Sequence, residues 1–84
     1  MRNDLFNDTI VVSRKQVELA IYLRNYRRMH ELSQVEMAGL CSIYAEPYHV
    51  KITSQEISDF ENYRKKPSRK KFQILLNTMD LTDI

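Results

Sequence analysis

The chain contains few residues that interrupt regular structure: its 84 residues include one glycine and two prolines. Because these two residue types most often break helices, their scarcity favours helical structure along most of the chain. The single cysteine, Cys41, excludes an internal disulfide and fits a reducing compartment.

Long hydrophobic runs are also missing. No segment approaches the roughly 18 apolar residues that a membrane-spanning helix needs, and the polar opening MRNDLFND does not resemble a signal peptide. We therefore expect a soluble, cytoplasmic protein that makes no membrane contact and has one domain with a modest core.

The charges are nearly balanced in number but unevenly placed. Thirteen basic and eleven acidic side chains leave a formal charge of +2, which alone indicates nothing about partners. The acidic residues are scattered, whereas eleven of the thirteen basic ones form two groups. The first group is Arg14, Lys15, Arg24, Arg27 and Arg28, and the second is Arg64, Lys65, Lys66, Arg69, Lys70 and Lys71.

Three phrases predict helix starts: SRKQ at 13–16, SQVE at 33–36 and TSQE at 53–56. Each places a hydroxyl residue three positions before Glu or Gln, which is the capping box that satisfies free amides in the first helical turn. An apolar periodic stretch follows each phrase. Together with the Pro67–Ser68 break, they predict helices over 14–30, 34–42, 54–63 and 70–79.

The same periodicity predicts the core and the connections. Residues 42–51, which include Pro47, are predicted to form a long loop. Residues 1–12 are predicted to be an extended arm or short strand outside the domain at 13–84. The inward candidates are Val17, Ala20, Ile21, Leu23, Met37, Ala38, Cys41, Ile52, Ile57, Phe60, Phe72, Leu75, Leu76 and Met79.

The helix predicted over 54–63 has a polar outward side. At about 100° per residue, Ile57 and Phe60 share one side, and short hydrogen-bonding groups occupy the other, directly before the second basic group. Such groups can read base edges in the major groove while neighbouring cations contact phosphates. An ordinary solvated surface helix shows the same amphipathicity. The polar positions are Ser54, Gln55, Ser58, Asp59 and Asn62.

The order of these motifs resembles a known family. The segments LRNYRRMHELSQVEMAGLC and ITSQEISDFENYRKKPSRKKFQILLNTMDL, within residues 23–81, are similar to helix-turn-helix domains of the lambda-repressor/Cro (XRE-like) type. The resemblance implies an all-α fold of four to five helices with an extended N-terminal arm. It also implies sequence-specific binding of double-stranded DNA, with the third helix in the major groove, and no cofactor.

The resemblance implies roles for individual residues. Gln34 matches a glutamine that contacts a phosphate and braces the reading helix. Arg27 and Glu61 match a partly buried ion pair between the first and third helices, although Arg27 also fits an exposed basic cluster. The implied base contacts are Ser54, Gln55, Ser58 and Asp59. The implied phosphate contacts are Gln34, Lys51, Thr53, Asn62, Tyr63, Arg64, Lys65, Lys66, Arg69 and Lys70.

The chain departs from the family pattern in three respects. Its connection between the second and third helices is lengthened, somewhat like that of POU-specific domains. The side chains of this connection could contact phosphates or simply pack. Glu56 and Asp59 bring negative charge to the reading helix, which is costly unless Asp59 accepts from a cytosine amino group; Glu56 is more simply the capping-box acid. Many relatives also pair subunits through a fifth helix, a role that residues 1–12 could take here.

Two other function classes are alternatives to DNA binding. Catalysis and metal binding are not expected, since His30, His49 and Cys41 lack metal-ligand spacing and no glycine-rich phosphate loop or carboxylate pair is present. A protein-interaction module, antitoxin-like or adaptor, is the open alternative, favoured by the apolar TIVV at 9–12. The main expectation is a phage, plasmid or bacterial repressor that binds a pseudo-palindromic operator as a homodimer.

Overall fold

The computed structural model describes residues 13–82 and contains no strand within them. The helices, in chain order, are α1 (Arg14–Met29), α2 (Gln34–Ala45), α3 (Ser54–Glu61) and α4 (Arg69–Thr78), with a turn of 3-10 helix at Glu46–Tyr48 between α2 and α3. The all-helical prediction is therefore confirmed for this range. The predicted arm or strand at 1–12 lies outside the described residues.

Each of the four α-helices begins after a hydroxyl residue that caps it. The three predicted capping boxes all form: the hydroxyl accepts from the backbone N–H three residues later, and the longer side chain accepts from the cap residue's own N–H. The fourth helix is capped by Ser68, which accepts from the N–H of Lys71. The reciprocal pairs are Ser13 with Gln16, Ser33 with Glu36 and Thr53 with Glu56.

Three helices are closed by left-handed residues that are not glycine. Glu31, Tyr63 and Asp80, which follow α1, α3 and α4, have φ angles of 54°, 60° and 58°. The next residue in each case donates its N–H to the carbonyl five positions back, as Arg64 does to Asp59 at 2.8 Å. This is the closing bond of a Schellman motif. A side chain in this conformation costs about 1–2 kcal/mol, so these helix ends carry backbone strain.

The core lies where α2 packs against α3 and α4, with α1 packed against α3. Tyr26, Leu32, Tyr48, Val50, Phe72 and Leu81 cover its edge as partly buried side chains. Burying such side chains is the main favourable term in folding, at roughly 25 cal/mol per Å² of apolar surface. The buried core residues are Leu19, Leu23, Met37, Ala38, Cys41, Ala45, Ile52, Ile57, Phe60, Ile74, Leu75 and Met79.

Three predicted core positions are not fully buried: Val17 and Phe72 are partly buried, and the prediction for Ile21 is wrong. Ile21 is 49% exposed, whereas Leu19, which was not among the inward candidates, is buried. The direction of the buried face explains the difference. On a helical wheel Ile21 lies about 150° from the mean direction of Leu19, Ala20 and Leu23.

The predicted loop at 42–51 is also wrong in its first half. The second helix continues to Ala45, which is buried, and the 3-10 turn follows at once. Pro47 lies in the first turn of that 3-10 helix, where its missing N–H breaks no hydrogen bond. The third helix ends at Glu61, two residues before the predicted end, because the left-handed Tyr63 closes it. The bounds of α1 and α4 match the predictions to within one residue.

Candidate functional site

The outward side of α3 presents a continuous polar surface, here named the polar face (Ser54, Gln55, Ser58 and Asp59). Gln55 is exposed and the other three are partly exposed. On the opposite side Ile57 and Phe60 are buried, at 0% and 2% exposure. The structure thus brings the four predicted base-contacting residues together on one side of one short helix.

A buried carboxylate fixes the position of α3 on the other helices. Glu61, 2% exposed, accepts from Arg27 Nε at 2.7 Å, Arg27 Nη2 at 2.8 Å and Gln34 Nε2 at 3.2 Å. These three bonds, named the Glu61 clamp, join α1 and α2 to the end of α3. Charge-assisted bidentate bonds are directional, so the clamp restrains the rotation of α3 as well as its distance. The hydrogen bond to Glu61 raises the pKa of Arg27 against the opposing effect of burial.

Arg24 is a structural residue that the sequence prediction missed. Its Nη2 atom donates to the carbonyl of Glu61 at 2.7 Å and to Oδ1 of Asn62 at 3.1 Å. Asn62, predicted to contact phosphate, also donates from Nδ2 to the carbonyl of Ser58 at 2.8 Å. The three-residue spacing of Arg24 and Arg27 in α1 was the available signal, since it places both guanidinium groups on one helix side.

Arg64 folds back over the polar face. Its Nε atom donates to Asp59 Oδ1 at 3.0 Å, and its Nη2 atom donates to Ser58 Oγ at 2.8 Å. Gln55 Nε2 donates to the same Asp59 oxygen at 3.0 Å. The bonds from Gln55 and Arg64 lower the pKa of Asp59. In this arrangement three of the four polar-face residues and Arg64 form one hydrogen-bonded set.

Glu56, another acidic residue of α3, lies outside the polar face. It is 8% exposed, forms the capping box with Thr53 as predicted, and its Oε2 atom accepts from Lys65 at 3.3 Å and from Lys71. Burial raises the pKa of Glu56, but the bonds from Lys71, the Thr53 N–H and Lys65 outweigh it and hold the pKa below its usual value. The charge that the sequence analysis identified as costly is therefore neutralised within the domain.

The remaining predicted phosphate contacts lie around the polar face in sequence, before and after α3. Lys66, Arg69 and Lys70 are exposed, and no carboxylate within 13–82 pairs with them. Lys51 and Thr53 are exposed, and Tyr63 is half-buried. The cations at 66–70 are thus more available to an external anion than Lys65, which already contacts Glu56.

Comparisons of the chain with protein-family models, with curated proteins and with solved structures found no match. The family resemblance therefore stays a prediction. Within residues 13–82, no group of three or more His, Cys, Asp or Glu side chains is placed to hold a metal ion. None of the helices described is both long and apolar enough to cross a membrane.

Proposed function

We propose that the protein is a sequence-specific double-stranded DNA-binding regulator with the lambda-repressor-like helix-turn-helix fold, and that α3 enters the major groove. One observation carries the proposal: the polar face lies opposite the core, and the exposed cations at 66–70 follow it. Base edges in the major groove offer hydrogen-bond donors and acceptors that such short side chains can reach. Neighbouring cations supply the sequence-independent part of the affinity.

The Glu61 clamp supports the proposal because reading base edges requires a fixed helix. Gln34 donates one amide hydrogen to Glu61, and its second amide hydrogen remains for a phosphate. Base contacts come from the polar face. Phosphate contacts come from Gln34, Lys51, Thr53, Asn62, Tyr63, Lys65, Lys66, Arg69 and Lys70.

The proposed mode of action is repression by occupying an operator. Two copies on a pseudo-palindrome would place two α3 helices in successive major grooves about 34 Å apart. Occupancy alone would block access to the DNA, so the proposal needs no catalytic group and no cofactor. The protein would act in the cytoplasm, on the nucleoid.

Titration of the full chain against a random-sequence duplex at increasing salt tests the proposal. We expect affinity to fall with a log–log slope of about −0.9 for each phosphate contacted. Selection from random DNA should then yield a site that binds on the order of a thousandfold more tightly than the random duplex. Absence of association with any duplex at low ionic strength would exclude DNA binding.

A protein-interaction module is the second candidate, favoured by apolar side chains on the surface of α2. Val35, Ile43 and Tyr44 are 69%, 65% and 40% exposed, so their apolar side chains are available for contact with a partner. A partner held by these residues would bind with little salt dependence. Replacing Val35 and Ile43 by serine would abolish such binding and leave DNA binding intact.

A further inference from the structure

Arg64 is attached to the last turn of α3 by both its backbone and its side chain. Its N–H donates to the Asp59 carbonyl at 2.8 Å, and Nε and Nη2 donate to the side chains of Asp59 and Ser58. The left-handed conformation of Tyr63 produces the chain reversal that makes this return possible. An exposed arginine usually samples many rotamers, whereas this one has three bonds to a single helix.

The bonds occupy one edge of the guanidinium group and leave another available. Arginine has five N–H donors in a planar fork. Nε and one hydrogen of Nη2 are used, while Nη1 and the second hydrogen of Nη2 have no partner within 13–82. That edge carries two parallel donors, the arrangement that matches O6 and N7 of guanine in the major groove. The Arg64 side chain is 53% exposed, so a ligand can reach it.

The carboxylate beside Arg64 argues against a role in phosphate binding. A phosphate contact needs only positive charge, and Asp59 offsets that charge and repels a phosphate. Lys66 and Lys70 are better suited to contact a phosphate, because they are exposed and no carboxylate within the described range pairs with them. Orientation of the guanidinium fork, rather than charge, is what the Asp59 contact provides.

On the basis of the proposed DNA-binding function, we propose that Arg64 reads a guanine in the major groove and that Asp59 is the positioning residue that aims it. Ser58 supports the same orientation through its hydroxyl group. This assignment replaces the phosphate contact implied for Arg64 and removes the need for Asp59 to contact a cytosine. It also explains how α3 tolerates an acidic residue on its outward side.

Selection of binding sites from random DNA tests the proposal with three chains: the wild type, Arg64→Lys and Asp59→Asn. Lysine keeps the positive charge but loses the planar fork, and asparagine keeps the shape of Asp59 but loses its charge. We expect the preference for guanine at one position of the wild-type site to fall roughly tenfold to a hundredfold in Arg64→Lys. In Asp59→Asn it should fall to a smaller extent. Arg28→Lys is the control: Arg28 is exposed in α1 and has no role in the proposed interface, so the selected site should be unchanged.

Replacing that guanine by 7-deazaguanine provides a chemical test, because the analogue lacks the N7 acceptor. Wild-type affinity should fall roughly tenfold, and the Arg64→Lys variant should lose much less. Circular dichroism of each variant, all changed at exposed or partly exposed positions, shows whether the fold is kept.

The outcomes separate this inference from the function on which it rests. If the wild type binds no duplex at low salt, the proposed function fails. If it binds DNA but Arg64→Lys keeps the same guanine preference, Arg64 does not read a base and only the present inference is wrong. If Asp59→Asn keeps the full preference, Asp59 does not position Arg64.

Discussion

Arg27 and Glu61 form a bidentate ion pair at the edge of the core, with N···O distances of 2.7 and 2.8 Å. The Glu61 side chain is 2% exposed and that of Arg27 is 22% exposed. A pair in this position differs from a surface ion pair because neither charge is fully hydrated. Loss of one partner leaves the other dehydrated and without a countercharge.

We expect Arg27→Ala and Glu61→Ala each to lower the free energy of unfolding by about 3–5 kcal/mol. Urea denaturation followed by circular dichroism measures the change. The double variant should be much less destabilised than the sum of the singles, since it leaves no unpaired charge. The more exposed pair Arg64 and Asp59, whose side chains are 53% and 20% exposed, provides the control, and Arg64→Ala should lower the free energy of unfolding by less than about 1 kcal/mol. Equal losses at both pairs would contradict the role given to the clamp.

The N-terminal cap of α2 gives a second prediction. Ser33→Ala should cost about 1 kcal/mol, because the alanine cannot accept the Glu36 N–H that Ser33 now binds at 3.0 Å. Ser42→Ala is the matched control: the same change at an exposed site of the same helix, where the hydroxyl bonds only to the Gly39 carbonyl. Denaturation midpoints that shift equally for the two variants would show that the cap contributes little.

The strained end of α1 gives a third prediction. Glu31→Gly should raise the free energy of unfolding by about 0.5–1 kcal/mol, since glycine relieves the left-handed strain of about 1–2 kcal/mol while adding entropy to the unfolded chain. Glu31→Ala removes the same side chain without relieving the strain, so it should not stabilise. Thermal melts of the two variants beside the wild type measure the difference, and stabilisation by alanine as large as by glycine would refute the strain argument.

Acid should destabilise the domain through Glu56. Its pKa is lower in the folded chain than the value of about 4.3 expected for the unfolded chain, so protonation favours unfolding. The stabilisation is complete above that unfolded value and is lost as the pH falls through the folded pKa. Urea midpoints should therefore stay level from pH 7 to about 5 and decline below about 4. The Glu56→Gln variant should show a shallower decline; an identical decline would assign acid sensitivity to other groups.

Two substitutions separate base reading from phosphate binding. Gln55→Ala should weaken the binding free energy for the selected site by about 1–3 kcal/mol, and it should change binding to a random duplex little. Lys66→Ala should weaken all sequences alike and flatten the salt slope by about one, while Lys66→Arg keeps the slope. Fluorescence anisotropy titrations at several salt concentrations measure both. A salt slope unmoved by Lys66→Ala would make the basic segment only a solvated surface.

Helix starts were predictable from the sequence because their determinants are local. A hydroxyl residue and a Glu or Gln three positions later suffice, and all three predicted boxes form. Helix ends were harder to predict. The chain closes α1 and α3 with Glu31 and Tyr63, without the glycine that usually marks such an end, and α2 is prolonged by the burial of Ala45.

The polar face was predictable as a set of positions, because helical periodicity alone brings those residues together. The hydrogen-bond and ion-pair partners of the residues on α3 were not predictable. The bonds from Arg64 to Asp59 and from Lys71 to Glu56 depend on where the chain turns after α3, and several nearby cations had the same reach. Long-range side-chain pairing of this kind is decided by tertiary geometry rather than by spacing along the sequence.

The inward and outward halves of α3 are independent of each other. The buried residues of this helix are Glu56, Ile57, Phe60 and Glu61. Positions 54, 55 and 58 can therefore be varied together without altering the packing of α3 on the core. A library randomised at these three positions would keep a common framework. Selection from such a library could then yield variants of one small framework that differ in binding specificity.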